Sequence, residues 1–283
     1  MKLLTYTFGG QTRFGAVTDK GVVDLFAALN GRFADLKSLL ADPKGIELAS
    51  AAAAAATQHI ALAQIKYEPV IPNPDKIICV GLNYHAHRIE SERDETENPT
   101  LFLRMSGSQQ GHGQPLLRPR ESTKLDFEGE IALVIGKGGR RISEAQAWEH
   151  IAGYSCYNDG SVRDWQRHTT QWTAGKNFAR TGGFGPWMVT ADEIPANTVL
   201  TLLTRLNGVE MQRTTTDLLI HSIPRQIAYI SKFIALEPGD VIVTGTPGGV
   251  GVRREPPVFM KPGDIVEIEV DRVGVLSNGI ADD

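Results

Sequence analysis

Residues 125–135 read LDFEGEIALVI, with acidic residues at every second position ahead of an apolar run. The apolar part, residues 131–135, is typical of a buried strand. Alternate residues of a strand lie on one face, so Asp126, Glu128 and Glu130 are expected to project together. Carboxylates that close repel one another unless a cation lies among them. The spacing therefore indicates either a cation site or the solvent face of an amphipathic strand.

A second acidic segment, residues 151–164, reads IAGYSCYNDGSVRD. An apolar strand ends there in an amide, an acid and an arginine, and binding sites are often built where strands end. Asp159 is therefore expected to supply a third oxygen ligand beside Glu128 and Glu130. A carboxylate set without histidine or cysteine favours Mg²⁺, Mn²⁺ or Ca²⁺ over zinc.

The rest of the chain indicates a β-rich α+β protein with two domains. Residues 1–70 contain two short strand patterns followed by helical sequence from Leu25 onward, which predicts a small N-terminal domain. Residues 68–74 read EPVIPNP, and prolines at this density break regular structure. A larger domain is therefore expected to cover residues 71–283.

Short β-branched segments separated by glycine or proline fill most of the larger domain. Strands are predicted at residues 3–8, 13–18, 76–80, 131–135, 199–206, 240–244 and 265–270. Asn207 and Gly208 predict a two-residue hairpin turn, because both residues tolerate a positive φ. Helices are predicted at residues 143–150 and 224–233, and the alanines at 51–56, which follow Ser50, favour another.

Composition excludes several classes of protein. The net charge is -4, the pI is about 6.0 and the basic residues are scattered, which argues against a nucleic-acid partner. The sequence has no apolar run of the roughly 18 residues that a membrane helix needs, and its first residues lack signal-peptide features, so a cytoplasmic protein is expected. Cys79 and Cys156 are interpreted as reduced core thiols.

Several motifs occur in the order seen in the fumarylacetoacetate hydrolase superfamily, and from about Lys76 to Gly279 the chain resembles its acylpyruvate hydrolase and 2-hydroxyhepta-2,4-diene-1,7-dioate isomerase branch. The motifs are KIICVGLNY at 76–84, DFEGE at 126–130, ND at 158–159, GKNF at 175–178, GPW at 185–187 and LEPGDVIVTGTP at 236–247. The resemblance implies a catalytic domain built as a roll of mixed β-sheets, a homodimer and a role in aromatic catabolism. It also implies Mg²⁺ or Mn²⁺ as cofactor, with Ca²⁺ as an occupant in crystals.

The resemblance assigns roles to residues at the matching positions. Metal ligands are implied at Glu128, Glu130 and Asp159, and a lysine near the substrate at Lys176. On composition alone Lys176 is better interpreted as a solvated surface lysine.

A catalytic histidine is implied at His87, with Glu90 orienting it for general-base work. Without the resemblance, His87 is equally an exposed loop histidine, and the nearby His85 is an alternative. The polar run at residues 88–98 is interpreted as a mobile lid.

Substrate contacts are the least specific part of the resemblance. Arg163 and Gln166 match substrate-side positions, and Thr246 lies in a glycine-rich turn that lacks the lysine of a nucleotide-binding loop. Arg104 and Gln109 are weaker candidates for contacting an acid group. The family's hydrolases can carry a tyrosine near Thr170, and this departure leaves side-chain specificity open.

The leading functional hypothesis is a metal-dependent hydrolase that cleaves a carbon–carbon bond in a 1,3-dicarbonyl acid such as an acylpyruvate. The strongest alternative is decarboxylation or tautomerisation of an oxo-diacid, or dehydration of a 2-oxo acid, at the same site. A third reading is a binding protein that is stabilised by metal and catalyses nothing. In each case the expected partner is a small 2-oxo or diketo acid.

Overall fold

The computed structural model describes residues 1–94 and 96–283. Its strands are β1 (Lys2–Phe8), β2 (Gln11–Thr18), β3 (Gly21–Asp24), β4 (Lys66–Tyr67), β5 (Ile77–Gly81), β6 (Thr100–Arg104), β7 (Gln109–Gln110), β8 (Leu116–Arg118), β9 (Leu125–Asp126), β10 (Gly129–Ile135), β11 (Ile151–Asn158), β12 (Ser161–Val162), β13 (Gly182–Thr190), β14 (Thr201–Leu206), β15 (Val209–Thr215), β16 (Val241–Val243), β17 (Ile265–Val270) and β18 (Gly274–Asp282). Its α-helices are α1 (Leu25–Ala28), α2 (Leu36–Ala41), α3 (Gly45–Ala55), α4 (His85–Glu90), α5 (Arg163–Gln166), α6 (Thr173–Lys176) and α7 (Ile223–Ile230). Its 3₁₀ helices are Leu62–Gln64, Ser106–Ser108, Glu144–His150, Ala191–Glu193, Thr216–Leu218 and Gly251–Arg253.

Two mixed sheets form the body of the protein. The large sheet has the order β3-β2-β1-β13-β11-β10-β16-β5-β6, with β4 beside β1 and β7 beside β13. The second sheet has the order β15-β14-β17-β18-β8. Most pairs are antiparallel, but β5 pairs in parallel with β16, β7 with β13, and β8 with β18. The predicted β-rich α+β class with mixed sheets is confirmed.

Strand β10 shows why the central segment is apolar at every position. Ile131, Leu133 and Ile135 belong to a core cluster shared with strands of the second sheet. Ala132 and Val134 point to the opposite face and join a core formed with helices α1, α2 and α3. A strand that is buried on both faces needs no polar alternation.

The N-terminal segment shares the large sheet with the rest of the chain. Lys2 and Leu3 of β1 pair with Val189 and Met188 of β13. Apolar residues of α1 to α3 are buried in the same core as Ala132 of β10. A separate domain at residues 1–70, with a second at 71–283, stays a prediction.

Local structure follows the sequence signals in most places. Asn207 and Gly208 have φ values of 52° and 79°, and they join β14 to β15 as the hairpin signal predicts. Helix α7 begins after Ser222, whose side chain accepts a hydrogen bond from the Arg225 amide. Helix α3 begins at Gly45, five residues before the predicted start at Ser50. The segment predicted as a helix at 143–150 is a 3₁₀ helix.

None of the helices in residues 1–94 and 96–283 combines the length and apolar character that a bilayer-spanning helix needs.

Candidate functional site

Three carboxylates meet where β10 begins and β11 ends. These strands are antiparallel neighbours, and Gly129 pairs with Asn158, so the residues next to this pair are brought together. Glu128, Glu130 and Asp159 are buried, and each offers a carboxylate oxygen that lies within 4.8 Å of the others. We call these three residues the acidic cluster. The Asp159 amide donates to the Glu128 carbonyl oxygen at 2.8 Å, which fixes the two chain segments against each other.

Lys176, at the end of α6, is bonded to the acidic cluster. Its Nζ lies 2.8 Å from Glu128 Oε2 and 2.5 Å from Asp159 Oδ2, and the residue is 1% exposed. Burial alone would lower the pKa of Lys176, but the charges of Asp159 and Glu128 raise it above the usual value. The interpretation as a solvated surface lysine is therefore wrong.

The pKa values of the two glutamates of the cluster are shifted in opposite directions. Burial, together with the charges of Asp159 and Glu128, raises the pKa of Glu130 well above its usual value. Burial also acts to raise the pKa of Glu128, but the neighbouring Lys176 and Arg163 lower it below the usual value. The fixed cations therefore favour the charged form of Glu128, whereas burial and the neighbouring carboxylates disfavour that of Glu130.

The donor set of the acidic cluster fits a divalent cation. All three donors are carboxylate oxygens, they converge within 4.8 Å, and they are buried away from competing water. Oxygen-only donors are those that Mg²⁺ and Mn²⁺ prefer. A bound cation would also relieve the repulsion that raises the pKa of Glu130.

Asp126 does not belong to the acidic cluster, contrary to the expectation that it projects with the two glutamates. It lies in β9, which ends before Phe127, so alternation along one strand does not extend from Asp126 to Glu130. Its carboxylate accepts hydrogen bonds from the amides of Gly251 and Val252 at 2.8 and 2.9 Å and from Arg163 Nε at 2.8 Å. Asp126 thereby fixes Arg163.

Arg104 and Gln109 lie behind the cluster. Arg104 Nη1 is 2.5 Å from Asp159 Oδ1 and also donates to the Gly160 carbonyl oxygen. Gln109 Nε2 donates to Ser108 Oγ, which itself accepts a hydrogen bond from Arg104 Nε. Neither Arg104 nor Gln109 lines the cleft, so the predicted contacts of these two residues with an acid group gain no support.

A histidine–glutamate pair lies on the short helix α4. His87 Nδ1 is 2.7 Å from Glu90 Oε1, and Glu90 Oε2 accepts a hydrogen bond from the Gly249 amide at 2.8 Å. An ionised carboxylate only accepts, so Nδ1 donates to Glu90, and in a neutral imidazole Nε2 then carries the lone pair. His87 is buried and lines the cleft, whereas His85 is exposed and lies outside the lining.

These groups open into one cleft of about 340 Å³. The predicted site residues that line it are His87, Glu128, Glu130, Arg163, Gln166, Lys176 and Thr246. Arg163 Nη1 contacts Glu128 Oε1 at 2.6 Å, and within the described residues its Nη2 has no hydrogen-bond partner. Thr246 Oγ1 donates to the Gly129 carbonyl oxygen and accepts from Gln212 Nε2, so its hydroxyl is already bonded to the protein.

Further residues of the cleft were not predicted from the sequence. Arg93, Arg167 and Arg253 line its opening, and we call them the mouth arginines. Phe102 and Trp172 form one wall, with their rings 5.5 Å apart and edge to face. Arg167 follows Arg163 by four residues, a spacing that places two side chains on the same face of a helix, so the sequence could have indicated Arg167. Arg253 belongs to a distant 3₁₀ helix and carries no local signal.

The lid interpretation of residues 88–98 is untested, and its Glu95 lies outside the described residues.

Comparisons with known proteins give consistent matches. The family model described as fumarylacetoacetate (FAA) hydrolase C-terminal matches residues 76–281. The chain is 42% identical over 226 residues to the mitochondrial oxaloacetate tautomerase fahd2 of Xenopus laevis, covering 79% of this chain and 71% of that protein. It is also 42% identical over 223 residues to the oxaloacetate tautomerase YisK of Bacillus subtilis, covering 77% and 74%.

A solved structure extends the likeness over the whole chain. Maleylpyruvate hydrolase from Sphingobium sp. SYK-6, in complex with manganese(II) and pyruvate, is 30% identical and superposes with a TM-score of 0.83. The alignment covers 100% of this chain and 99% of that one. Proteins with this fold therefore include both hydrolases and tautomerases.

Proposed function

Because the chain belongs to the fumarylacetoacetate hydrolase family, we propose that it is a metal-dependent enzyme that interconverts the keto and enol forms of a small oxo-diacid such as oxaloacetate. The observation that carries the enolisation step of this proposal is the His87–Glu90 pair beside the acidic cluster in one cleft. Enolisation needs a group that accepts a proton and a positive centre that stabilises the enolate. Relatives named as oxaloacetate tautomerases support the choice of substrate.

The acidic cluster is the part of the site that would hold the cation. Glu128, Glu130 and Asp159 would be its protein ligands, and Mg²⁺ or Mn²⁺ would act there as a Lewis acid toward the 2-oxo acid end of the substrate. The manganese(II) in the related maleylpyruvate hydrolase supports a divalent ion. Arg104 holds Asp159 Oδ1, so it acts as a positioning residue.

The proton transfer would be made by His87. Its Nε2 takes a proton from carbon 3 while Glu90 holds the protonated Nδ1 at 2.7 Å. A proton is delivered to the oxygen on carbon 2, so no atom is gained or lost overall. Lys176 and Arg163 Nη2, which has no hydrogen-bond partner in residues 1–94 and 96–283, supply positive charge and a hydrogen-bond donor for the developing enolate.

Hydrolysis of an acylpyruvate, the leading hypothesis from the sequence, is the second candidate. The similarity to a maleylpyruvate hydrolase structure that contains pyruvate favours it. His87 would then take a proton from water as the water oxygen attacks the distal carbonyl. The carbon–carbon bond breaks, and the departing enolate takes up a proton to give pyruvate beside a free acid. The predicted homodimer and a role in aromatic catabolism stay predictions.

A product assay separates these candidates. Purified protein with Mg²⁺ is given oxaloacetate or an acylpyruvate, and enol absorbance, pyruvate and carbon dioxide are followed together. We expect faster keto–enol interconversion of oxaloacetate without release of carbon dioxide above background, and a rate about 10- to 100-fold lower in Glu90→Gln.

Two outcomes contradict the tautomerase proposal. Release of pyruvate and an acid in equal amounts from the acylpyruvate would identify a hydrolase. Release of carbon dioxide from oxaloacetate above that produced by Mg²⁺ without the protein would identify a decarboxylase.

A further inference from the structure

The mouth arginines come from three separate segments of the chain. Arg93 follows α4, Arg167 follows α5, and Arg253 ends the 3₁₀ helix Gly251–Arg253, yet all three line one cleft. Each is exposed. Arg253 Nη2 donates to the Ser91 carbonyl oxygen at 3.0 Å. Among the described residues, no carboxylate forms an ion pair with Arg167 or Arg253.

Because the mouth arginines line one cleft, their positive charges repel one another. Partial burial lowers the pKa of Arg167, and the neighbouring Arg253, Arg163 and Arg93 lower it further. Glu92 is an acidic residue in the same lining, so the opening remains net positive. An anion placed between guanidinium groups would relieve their repulsion and gain charge-assisted hydrogen bonds.

The deep part of the cleft differs, because its cations already have fixed partners. Lys176 is bonded to Glu128 and Asp159, and Arg163 to Asp126 and Glu128. If the 2-oxo acid end of a substrate binds at the acidic cluster, the mouth arginines remain available to bind a second anionic group. The cleft volume of about 340 Å³ is sufficient for a small diacid, and the same cleft is lined by both groups of residues.

We propose that Arg167 and Arg253 bind the second carboxylate of a dicarboxylic substrate and thereby select oxo-diacids over 2-oxo monoacids. This inference rests on the proposed function, because it takes the first carboxylate to lie at the acidic cluster. Arginine is suited to the role, since its planar guanidinium binds a carboxylate through two parallel hydrogen bonds.

Kinetics with a matched pair of substrates test the proposal. The 4-methyl ester of oxaloacetate lacks the distal charge and carries one additional methyl group. The kcat/KM is measured for oxaloacetate and for this ester in the wild type, Arg167→Gln, Arg253→Gln and the double variant. We expect the double variant to lose about 10- to 100-fold in the preference for the diacid, mainly through KM. Arg213→Gln, an exposed arginine paired with Glu210 outside the cleft, is the control. An unaltered preference in the double variant would overturn the proposal.

Equilibrium binding separates a failure of this inference from a failure of the proposed function. Calorimetry with the Mg²⁺-loaded protein compares malate with lactate, two 2-hydroxy acids that differ in the distal carboxylate. We expect malate to bind at least 10-fold more tightly, and the double variant to remove most of that difference. This result would support the subsite even if no tautomerase activity were found. Equal affinities in the wild type would overturn the subsite whatever the activity.

Discussion

The acidic cluster and the mouth arginines lie in the same cleft but are held in different ways. Glu128, Glu130 and Asp159 are buried at strand ends, and fixed cations and backbone amides bond their carboxylates. Arg167 and Arg253 are exposed and extend from short helices, and no carboxylate of the described residues is ion-paired with them. A preorganised charged group costs little to reorganise when a reaction takes place, whereas exposed side chains adapt to what binds.

The acidic cluster and the mouth arginines would therefore have different roles in the proposed reaction. The buried part supplies the chemistry that requires fixed geometry, namely cation binding and stabilisation of an enolate. The exposed part determines which acid is accepted. Substitutions in the two places should therefore affect different measured quantities. The substitutions of Arg167 and Arg253 described above test the exposed part, and three further substitutions, from the largest expected effect to the smallest, test the buried part.

The largest effect is expected from Asp159→Asn. The substitution replaces a charged carboxylate ligand by a neutral amide, so Lys176 and Arg104 each lose a charged partner. We expect kcat/KM for oxaloacetate to fall by about 10³-fold, equivalent to about 4 kcal/mol of transition-state stabilisation. Asp192→Asn, at an exposed acid outside the cleft, is the control. Activity close to that of the wild type in Asp159→Asn would contradict the assignment of the chemistry to the buried part of the cleft.

A somewhat smaller effect is expected from Arg104→Met, and on folding as well as on activity. The change leaves Asp159 Oδ1 without its buried guanidinium partner. We expect a loss of about 3 kcal/mol in the free energy of unfolding, measured by urea denaturation. Arg32→Met removes an exposed partner of Asp42 and should cost much less. Equal losses in the two variants would mean that the buried contact does not stabilise the fold.

The smallest of the three effects concerns the two histidines of α4. We expect His87→Gln to lower kcat about 100-fold, because the group that accepts the proton is lost, and to leave cation binding intact. His85→Gln should have little effect, since His85 is exposed and lies outside the cleft lining. Initial rates at saturating substrate check both variants. A larger loss in His85→Gln would transfer the catalytic assignment to His85.

Short-range motifs predicted the buried part of the site well. Glu128, Glu130, Asp159 and Lys176 lie within recognisable motifs, and the structure brings all four together. Asp126 was misjudged because the strand is interrupted at Phe127, and a two-residue repeat does not reveal such a break. Arg253 was missed because only the tertiary fold brings its 3₁₀ helix to the cleft.

The strands of the fold were likewise predicted only in part from the sequence. Strands rich in β-branched residues, such as Ile265–Val270, were predicted with the observed bounds. Strand β13 was missed because its sequence GGFGPWMVT is rich in glycine and contains proline, which are depleted in strands. The structure supplies a reason for one of these glycines, since a Cβ on Gly183 would lie 2.7 Å from Asn278 Oδ1.

The reaction type depends on more than the acidic cluster. The cluster and the His87–Glu90 pair serve hydrolysis and tautomerisation equally well, because both pass through an enolate. The choice in favour of an oxo-diacid tautomerase depends on the relatives and is consistent with the cationic opening of the cleft.

The most direct test of the account is the binding of Mn²⁺ to the purified protein, measured by calorimetry in the wild type, Glu130→Gln and His87→Gln. We expect one Mn²⁺ per chain in the wild type and in His87→Gln, and at least 100-fold weaker binding in Glu130→Gln, since only the last removes a carboxylate from the acidic cluster. Wild-type affinity in Glu130→Gln would contradict the assignment of the acidic cluster as the metal site.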